Sequence, residues 1–145
     1  MRVAVAADHN GVELKVHLTG WLEERGHQVD DRGTDGTDVV DYPALCADVG
    51  RRVASGTADT GLVIGGSGQG EVIACNKVRG VRAGLCHTDF ATQISRGHND
   101  ANVMVLGAKV VDAATAERML ELWFATPFKG GRHQERVEQI TALEG

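Results

Sequence analysis

The chain has 145 residues, of which 42% are hydrophobic and 24% charged, so it can bury a core without disulfides or a structural metal. Its formal net charge of -5 excludes a general attraction to nucleic acid. No segment has the apolar length of a membrane helix, the first residues lack a signal-peptide pattern, and the three cysteines lack CxxC spacing. We expect one cytoplasmic domain over residues 1–145, with no nucleic-acid or membrane partner.

Strand-like and helix-like patterns alternate from the start of the chain. Residues 2–7 predict a buried strand, Asn10 is typical of the N-cap of a following helix, and Gly26 suits its end. A short strand near 27–31 leads into a loop rich in Asp, Gly and Thr that extends to Asp41.

The same alternation continues to the end of the chain. Further strands are predicted at 60–65, 81–86 and 102–106. Further helices are predicted at 43–55, 71–77, 89–96, from Asp112 to about Phe124, and 132–143. This order indicates βαβ units, and therefore a five-stranded, doubly wound parallel sheet covered by helices on both faces.

Ligands bind such sheets beyond the carboxyl ends of the strands, and two predicted loops there carry suitable groups. The first loop contains Asp8 and His9, directly after the first strand. A carboxylate beside an imidazole suits hydroxyl recognition or proton transfer. The alternative is that Asp8 caps the next helix and His9 is a solvated loop residue.

The second loop is rich in glycine and consists of Gly66, Ser67, Gly68, Gln69, Gly70 and Glu71. Such a loop can point several backbone N–H groups at one anionic oxygen. It lacks the lysine of a Walker loop, and Glu71 replaces the third glycine of the dinucleotide pattern, so nucleotide binding is disfavoured. Glu71 could act as a base for a substrate held there. The alternative is a flexible turn followed by a favourable first-turn glutamate.

Two further groups of residues lie in the last third of the chain. His98 and Asn99 follow a predicted helix end. Arg132, His133 and Arg136 place three potential cations within about one helical turn, which suits a phosphate dianion. The alternative for this second group is an ordinary solvated helix face paired with neighbouring glutamates.

The cysteines and histidines give no indication of a reactive thiol or a metal site. Cys46, Cys75 and Cys86 are expected to be small buried hydrophobic residues. The histidines show neither HxH nor HExxH spacing, so we expect no metal and no other cofactor.

In combination, these motifs resemble the ribose-5-phosphate isomerase B family, which includes isomerases of other phosphorylated sugars. The matching segments are Asp8-His9, Asp41-Tyr42-Pro43, Gly66-x-Gly68-x-Gly70 with Asn76-Lys77, Arg96-x-His98-Asn99, and Gly130-Gly131-Arg132-His133-Gln134-x-Arg136. The resemblance implies a Rossmann-like three-layer α/β/α fold with five parallel strands plus a C-terminal helix, a homodimer, and no metal. It also implies interconversion of D-ribose 5-phosphate and D-ribulose 5-phosphate through ring opening and a cis-enediolate.

The resemblance further implies roles for individual residues. His98 would assist ring opening, while Ser67 and the backbone of the glycine-rich loop would stabilise the enediolate. Contacts to the sugar phosphate would come from Asp8, His9, Tyr42, Gly66, Gly68, Gln69, Gly70, Asn99, Lys109, Arg132, His133 and Arg136.

The sequence departs from the family pattern at two positions. Many members carry a cysteine base directly after the third strand, where this chain has Gly65. Another branch uses a glutamate in the next helical turn, which matches Glu71, so Glu71 is predicted to move the proton between C2 and C1. Lys109 stands where relatives often have an arginine, and it keeps the charge but loses the bidentate geometry.

The predicted topology also bears on assembly. Asp8, His9 and Glu71 follow strands at the carboxyl edge of the sheet, whereas His98 and Asn99 precede the last strand and belong to the opposite edge. We therefore predict a homodimer, or a higher oligomer built from it, in which a neighbouring chain supplies His98 and Asn99 to a shared active site.

Two alternatives stay open at this point. Within the isomerases, the substrate could instead be allose 6-phosphate, galactose 6-phosphate or a tetrulose phosphate. From another class, a receiver-type or nucleotide-binding signalling module has a similar architecture, and Lys109 would suit a receiver. Such a module needs further acidic residues after the first and third strands, and it has no use for His98 or Arg132.

Overall fold

The computed structural model describes residues 1–145 as a parallel five-stranded sheet with helices on both faces. The strands are β1 (Arg2–Ala7), β2 (Gln28–Asp31), β3 (Thr60–Gly65), β4 (Ala83–Leu85) and β5 (Val103–Gly107). The helices are α1 (Val12–Glu24), α2 (Tyr42–Ala54), α3 (Gln69–Cys75), α4 (Asp89–Gly97), α5 (Ala113–Ala125) and α6 (Arg132–Ala142). The predicted Rossmann-like three-layer fold with a C-terminal helix is confirmed.

The sheet has the strand order β2-β1-β3-β5-β4, and every neighbouring pair is parallel. The central strands β3 and β5 are buried at every position, and β1 at every position after Arg2. Continuous apolar runs are expected of strands that are covered on both faces. The edge strands β2 and β4 are shorter and partly exposed.

Two hydrophobic cores lie on opposite faces of the sheet. The first packs the sheet against α1 and α5, and its large members include Leu18, Trp21, Leu62, Ile64, Met104, Met119 and Trp123. The second packs it against α2 and α3, and its members include Val49, Val53, Val63, Val81, Val103 and Val105. The expectation for the cysteines is confirmed, because all three are buried and unpaired: Cys46, Cys75 and Cys86.

The start of α1 differs from the prediction. Asn10 does not cap the helix; the N-cap residue is Gly11, which has no side-chain cap hydrogen bond. The backbone N–H of Asn10 instead donates to the Asp8 carboxylate at 2.9 Å, a local turn that competes with capping. A Cβ on Gly11 would lie 2.6 Å from the Ile64 carbonyl oxygen, so this close approach of α1 to β3 requires glycine.

The strand order creates a place for a ligand. The chain passes from β1 outward to β2 and then returns past β1 to β3, so the order reverses between β1 and β3. Ligands of open α/β sheets bind beyond the carboxyl ends of the strands at such a reversal. Asp8 directly follows β1 and Gly66 directly follows β3, which brings both candidate loops to this place.

Helix α6 packs lightly on the rest of the chain. Val137 is its only buried residue, and Ile140 and the following Leu143 are exposed apolar residues. The guanidinium of Arg79 donates to the Glu144 carbonyl at 2.8 Å just beyond the helix end. None of the six helices has the length and apolar character needed to cross a membrane.

A buried hydrogen bond between α5 and β3 provides a test of the fold. The Thr60 hydroxyl accepts from Trp123 Nε1 at 3.2 Å and donates to the Asn102 carbonyl at 3.1 Å. Thr60→Val keeps the shape but leaves the buried indole N–H unpaired, so we expect the free energy of unfolding in urea to fall by about 1–3 kcal/mol. Thr60→Ser keeps the hydroxyl and is the matched control. A Val variant as stable as wild type would show that this bond contributes nothing.

Candidate active site

A cavity of about 380 Å³ lies at the carboxyl edge of the sheet, where β1 and β3 end side by side. It is lined by Asp8, Asn10, Tyr42, Gly66, Ser67, Gly70, Glu71, Lys109 and Val110. Two larger grooves, of about 760 and 690 Å³, run along α2, α3 and the end of α6, but neither contains a buried carboxylate. The smaller cavity is therefore the one equipped for acid–base chemistry.

The Glu71 carboxyl is the most unusual group in this cavity. Glu71 is the third residue of α3 and is only 4% exposed. It fits because residue 65 is glycine, since a Cβ at that position would overlap the Glu71 carboxylate. Burial raises the pKa of Glu71 above its ordinary value, its own backbone N–H lowers it, and charge repulsion and hydrogen bonding from Asp8 raise it further.

Asp8 is the second buried carboxyl of the cavity and is 6% exposed. Its carboxylate accepts a hydrogen bond from the backbone N–H of Asn10, and its own backbone N–H donates to the Ile64 carbonyl at 3.2 Å. The end of β3 and the turn after Asp8 therefore hold this residue in place. Its charge and its hydrogen bonding next to Glu71 are part of what raises the pKa of Glu71, the group with the raised proton affinity in this cavity.

The glycine-rich loop is held by specific contacts. Gly68 is the N-cap of α3 and has a φ of 81°, a left-handed conformation that favours glycine. The backbone N–H of Lys109 donates to the Gly66 carbonyl at 3.0 Å, which joins the loop to the end of β5. The Ser67 hydroxyl accepts the N–H of Gln69 at 3.2 Å. Ser67 and Lys109 both line the cavity, whereas Gln69 is exposed and is not part of its lining.

Tyr42, the first residue of α2, lines the cavity. A Cβ on Gly70 would overlap the Tyr42 hydroxyl, so this glycine allows the tyrosine to reach the loop. His9 does not line the cavity but adjoins Asn10, which does. The Val40 N–H donates to His9 Nδ1 at 3.3 Å, and the side-chain Nδ2 of Asn10 lies 3.4 Å from His9 Nε2.

A second group of candidate residues lies elsewhere on the chain. His98, the C-cap of α4, stacks on His133 of α6 with ring centroids 3.9 Å apart. The pKa of His133 lies below its ordinary value because of partial desolvation and then because of nearby positive groups, namely His98, Arg136, Lys129 and Arg132. We call these five residues the cationic cluster. An anion placed there would meet several positive charges.

The cationic cluster and the carboxylate cavity do not meet within one chain. Arg82, directly before β4, donates its Nε–H to the Asn99 and Asp100 carbonyls at 3.1 and 3.0 Å. That contact places Asn99 and the preceding His98 at the amino edge of the sheet. Strands of five or six residues separate the two edges by roughly 16–20 Å. The structure therefore holds the two groups of candidate residues at opposite edges of the sheet.

The sequence patterns missed two residues that line the cavity. The sequence predicts Asn10 as a helix cap, but a residue two positions after an aspartate can also donate its backbone N–H to that carboxylate, as Asn10 does to Asp8. Val110 is 54% exposed and carries no polar signal, so nothing in the sequence singles it out. No three His, Cys, Asp or Glu side chains converge in a way that could hold a metal ion.

Comparison with known sequences gives matches along the whole chain. The model of the ribose/galactose isomerase family matches residues 3–140. The chain is 42% identical to ribose-5-phosphate isomerase B of Escherichia coli over 143 residues, covering 99% of this chain and 96% of the relative. It is 38% identical to ribose-5-phosphate isomerase B of Mycolicibacterium paratuberculosis over 146 residues, covering 99% and 92%.

Solved structures agree with these matches. Ribose-5-phosphate isomerase B of Clostridium thermocellum superposes with a TM-score of 0.98 at 42% identity, covering 99% of this chain and 97% of that structure. The Mycoplasma genitalium enzyme with bound ribulose-5-phosphate superposes with a TM-score of 0.95 at 32% identity, covering 99% and 95%.

Sequence and structure comparisons thus point to the same family over nearly the full length of the chain. They confirm the resemblance drawn from the motifs and the prediction of a sugar-phosphate isomerase. The chain belongs to the ribose/galactose isomerase family and is, as a member of it, an aldose–ketose isomerase.

Proposed function

We propose that the chain interconverts D-ribose 5-phosphate and D-ribulose 5-phosphate, with Glu71 as the base that shuttles the proton. The observation that carries this proposal is the buried Glu71 carboxyl, whose pKa is raised beside Asp8 at the edge of a cavity. Support for the substrate comes from the relatives, which are named ribose-5-phosphate isomerase B, one of them with ribulose-5-phosphate bound.

The chemistry starts from the open-chain aldose. Glu71 takes the proton from C2, and the electrons of that C–H bond move toward the C1 carbonyl, leaving an enediolate with negative charge on oxygen. Glu71 then returns its proton to C1, and the O2 proton moves to O1, which completes the ketose. The Ser67 hydroxyl, the N–H groups of the glycine-rich loop and the Lys109 ammonium stabilise the charge on oxygen. The Asp8 carboxylate accepts a hydrogen bond from a substrate hydroxyl.

Two features suit Glu71 to this role. A carboxylate with a raised pKa is a stronger base than an ordinary carboxylate. General bases are most effective when their pKa lies near the pH at which the enzyme works. In addition, the Glu71 carboxylate occupies the space that a side chain at position 65 would fill. A cysteine base at the end of β3, as in the other branch, and the Glu71 carboxylate would thus lie at the same place in the cavity.

The phosphate end of the substrate requires a second chain in this proposal. An open-chain pentose phosphate extends about 8 Å from C1 to phosphorus, given bonds near 1.5 Å. It is too short to join the carboxylate cavity to the cationic cluster across the sheet of one chain. In a homodimer, the partner subunit would supply His98 for ring opening, Asn99 for positioning, and Arg132, His133 and Arg136 for the phosphate.

A second candidate substrate is a phosphorylated hexose, which the name of the ribose/galactose isomerase family favours. Proton transfer between C2 and C1 is the same for both sugars, so only the space beyond the first carbons distinguishes them. Comparing kcat/KM for ribose 5-phosphate, allose 6-phosphate and galactose 6-phosphate decides between them.

Removing the proposed base tests the mechanism. Glu71→Gln keeps the size and polarity of the side chain but cannot accept the proton, so we expect kcat to fall about 10²–10⁴-fold with little change in KM. Wild-type kcat/KM should decrease as the pH falls through the raised pKa of Glu71, because protonation removes the base. Ketose formation from ribose 5-phosphate measures both. Glu23→Gln, on the exposed face of α1, is the control, and near-normal turnover by Glu71→Gln would rule out this base.

The shared site is tested by mixing two inactive chains. Glu71→Gln and His98→Ala are co-expressed with different tags, and the mixed dimer is isolated by sequential affinity steps. Each mixed dimer combines one intact site with one doubly altered site, so we expect about half of the wild-type activity per dimer. Mixed dimers without activity would contradict a site built from two subunits.

Phosphate recognition is tested at the cationic cluster. Arg132→Ala should raise the KM for ribose 5-phosphate by roughly 10–100-fold, the loss of a charge-assisted hydrogen bond, with a smaller change in kcat. Arg132→Lys keeps the charge without the planar fork and should lie between the Ala variant and wild type. An unchanged KM in the Ala variant would mean that the phosphate binds elsewhere.

A further inference from the structure

The turn that follows α4 contains a residue in an unusual backbone conformation. Asp100 has a φ of 47° and is the only non-glycine residue of the chain with a positive φ. Aspartate tolerates this left-handed conformation better than most residues, but it still costs free energy, so surrounding contacts must hold it. The contacts that hold Asp100 also bear on Asn99, which directly precedes it.

Two arginines hold the Asp100 carboxylate. Arg96, on α4, donates to Oδ1 at 3.2 Å, and Arg82, directly before β4, donates to Oδ2 at 3.5 Å. The Arg82 and Arg96 side chains are only 24% and 23% exposed, so the protein shields both pairs from much of the solvent. Each carboxylate oxygen thus has its own guanidinium, which ties the turn both to α4 and to the start of β4.

The same two arginines also bind the backbone of the turn. Arg82 Nε donates to the Asn99 and Asp100 carbonyls, and Arg96 Nη1 donates to the Ala101 carbonyl at 2.6 Å. Backbone N–H groups of Asn99 and Ala101 bond back to α4, but no backbone N–H donates to the three carbonyls. The carbonyl side of the turn therefore depends on the two arginines that Asp100 pairs with.

The side chain of Asn99 is left free by this arrangement. Its backbone is held at both the N–H and the carbonyl, whereas the residue is exposed and its side-chain amide makes no hydrogen bond within the chain. A polar group on a fixed backbone loses little conformational entropy when it binds a ligand. In the proposed homodimer, that ligand is the sugar in the carboxylate cavity of the partner subunit.

We propose that Asp100 is a positioning residue that acts on the substrate through Asn99. Its carboxylate holds both guanidiniums over the turn, Arg82 holds the Asn99 carbonyl, and the Asn99 amide then meets the sugar with its backbone already in place. This inference rests on the proposed function, because Asn99 contacts the substrate only in the shared site. The rigidity of the turn is a property of the free protein and is measured separately.

Asp100→Gly removes the carboxylate without straining the backbone, because glycine adopts a positive φ freely. We expect its kcat/KM for ribose 5-phosphate to fall by roughly tenfold, the loss of about one hydrogen bond to the substrate. Asp100→Asn also tolerates this conformation and keeps one acceptor oxygen, so it should lose less. Asp89→Asn changes another ion-paired aspartate at the opposite end of α4 and is the matched control, with wild-type kinetics expected.

A double-mutant cycle with Asn99→Ala separates positioning from a general loosening of the fold. If Asp100 acts through the Asn99 amide, Asp100→Gly should lower kcat/KM by less than about twofold once that amide is gone. An equal loss in both backgrounds overturns the inference, and so do wild-type kinetics of Asp100→Gly. If the Gly variant does not fold, Asp100→Asn takes its place in the cycle.

Backbone ¹⁵N relaxation gives a readout that does not depend on turnover. The amides of Asn99 and Ala101 should have order parameters of about 0.85 in wild type and in Asp89→Asn, and of about 0.6 in Asp100→Gly. Unchanged order parameters in the Asp100 variants overturn the inference. If the order parameters fall as expected while wild type does not turn over ribose 5-phosphate, the proposed function fails and the anchoring of the turn by Asp100 stands.

Discussion

The Glu71 carboxylate lies in space that exists only because residue 65 has no side chain. This steric constraint links the end of β3 to the first turn of α3 and determines the character of the cavity. It permits a carboxyl group to be 4% exposed and to lie against Asp8, and burial and charge repulsion then raise its pKa. Any side chain at position 65 would displace the group on which the proposed chemistry depends.

The parallel sheet provides the second constraint. Its strand order brings the ends of β1 and β3 together and so unites two buried carboxyls with the glycine-rich loop. The same direction of all five strands sends α4 back to the amino edge, where His98 stacks on His133 beside several cations. One chain thus carries the two buried carboxyls and the cationic cluster at opposite edges of the sheet, which is the reason that we propose a site shared between subunits.

Much of this fold could be predicted because β1, β3 and β5 are continuous apolar runs separated by helical patterns, and parallel strands follow from that alternation. The convergence of Asp8 with the glycine-rich loop could be predicted for the same reason. Features that depend on contacts between residues far apart in the sequence could not be predicted in this way. Lys15 falls at a buried helical position only because Asp31 and Asp35 pair with it, and an Asp-rich loop indicates a solvated turn when taken alone.

The central claim is that Glu71 of one subunit works on the first carbons of a sugar whose phosphate is held by another. The most direct measurement is a crystal structure of Glu71→Gln with ribulose 5-phosphate bound. The account predicts C1 and C2 in direct contact with the side-chain amide at position 71, and the phosphate against Arg132 and Arg136 of the partner subunit. Reacting carbons far from residue 71, or both ends of the sugar held by one chain, would contradict it.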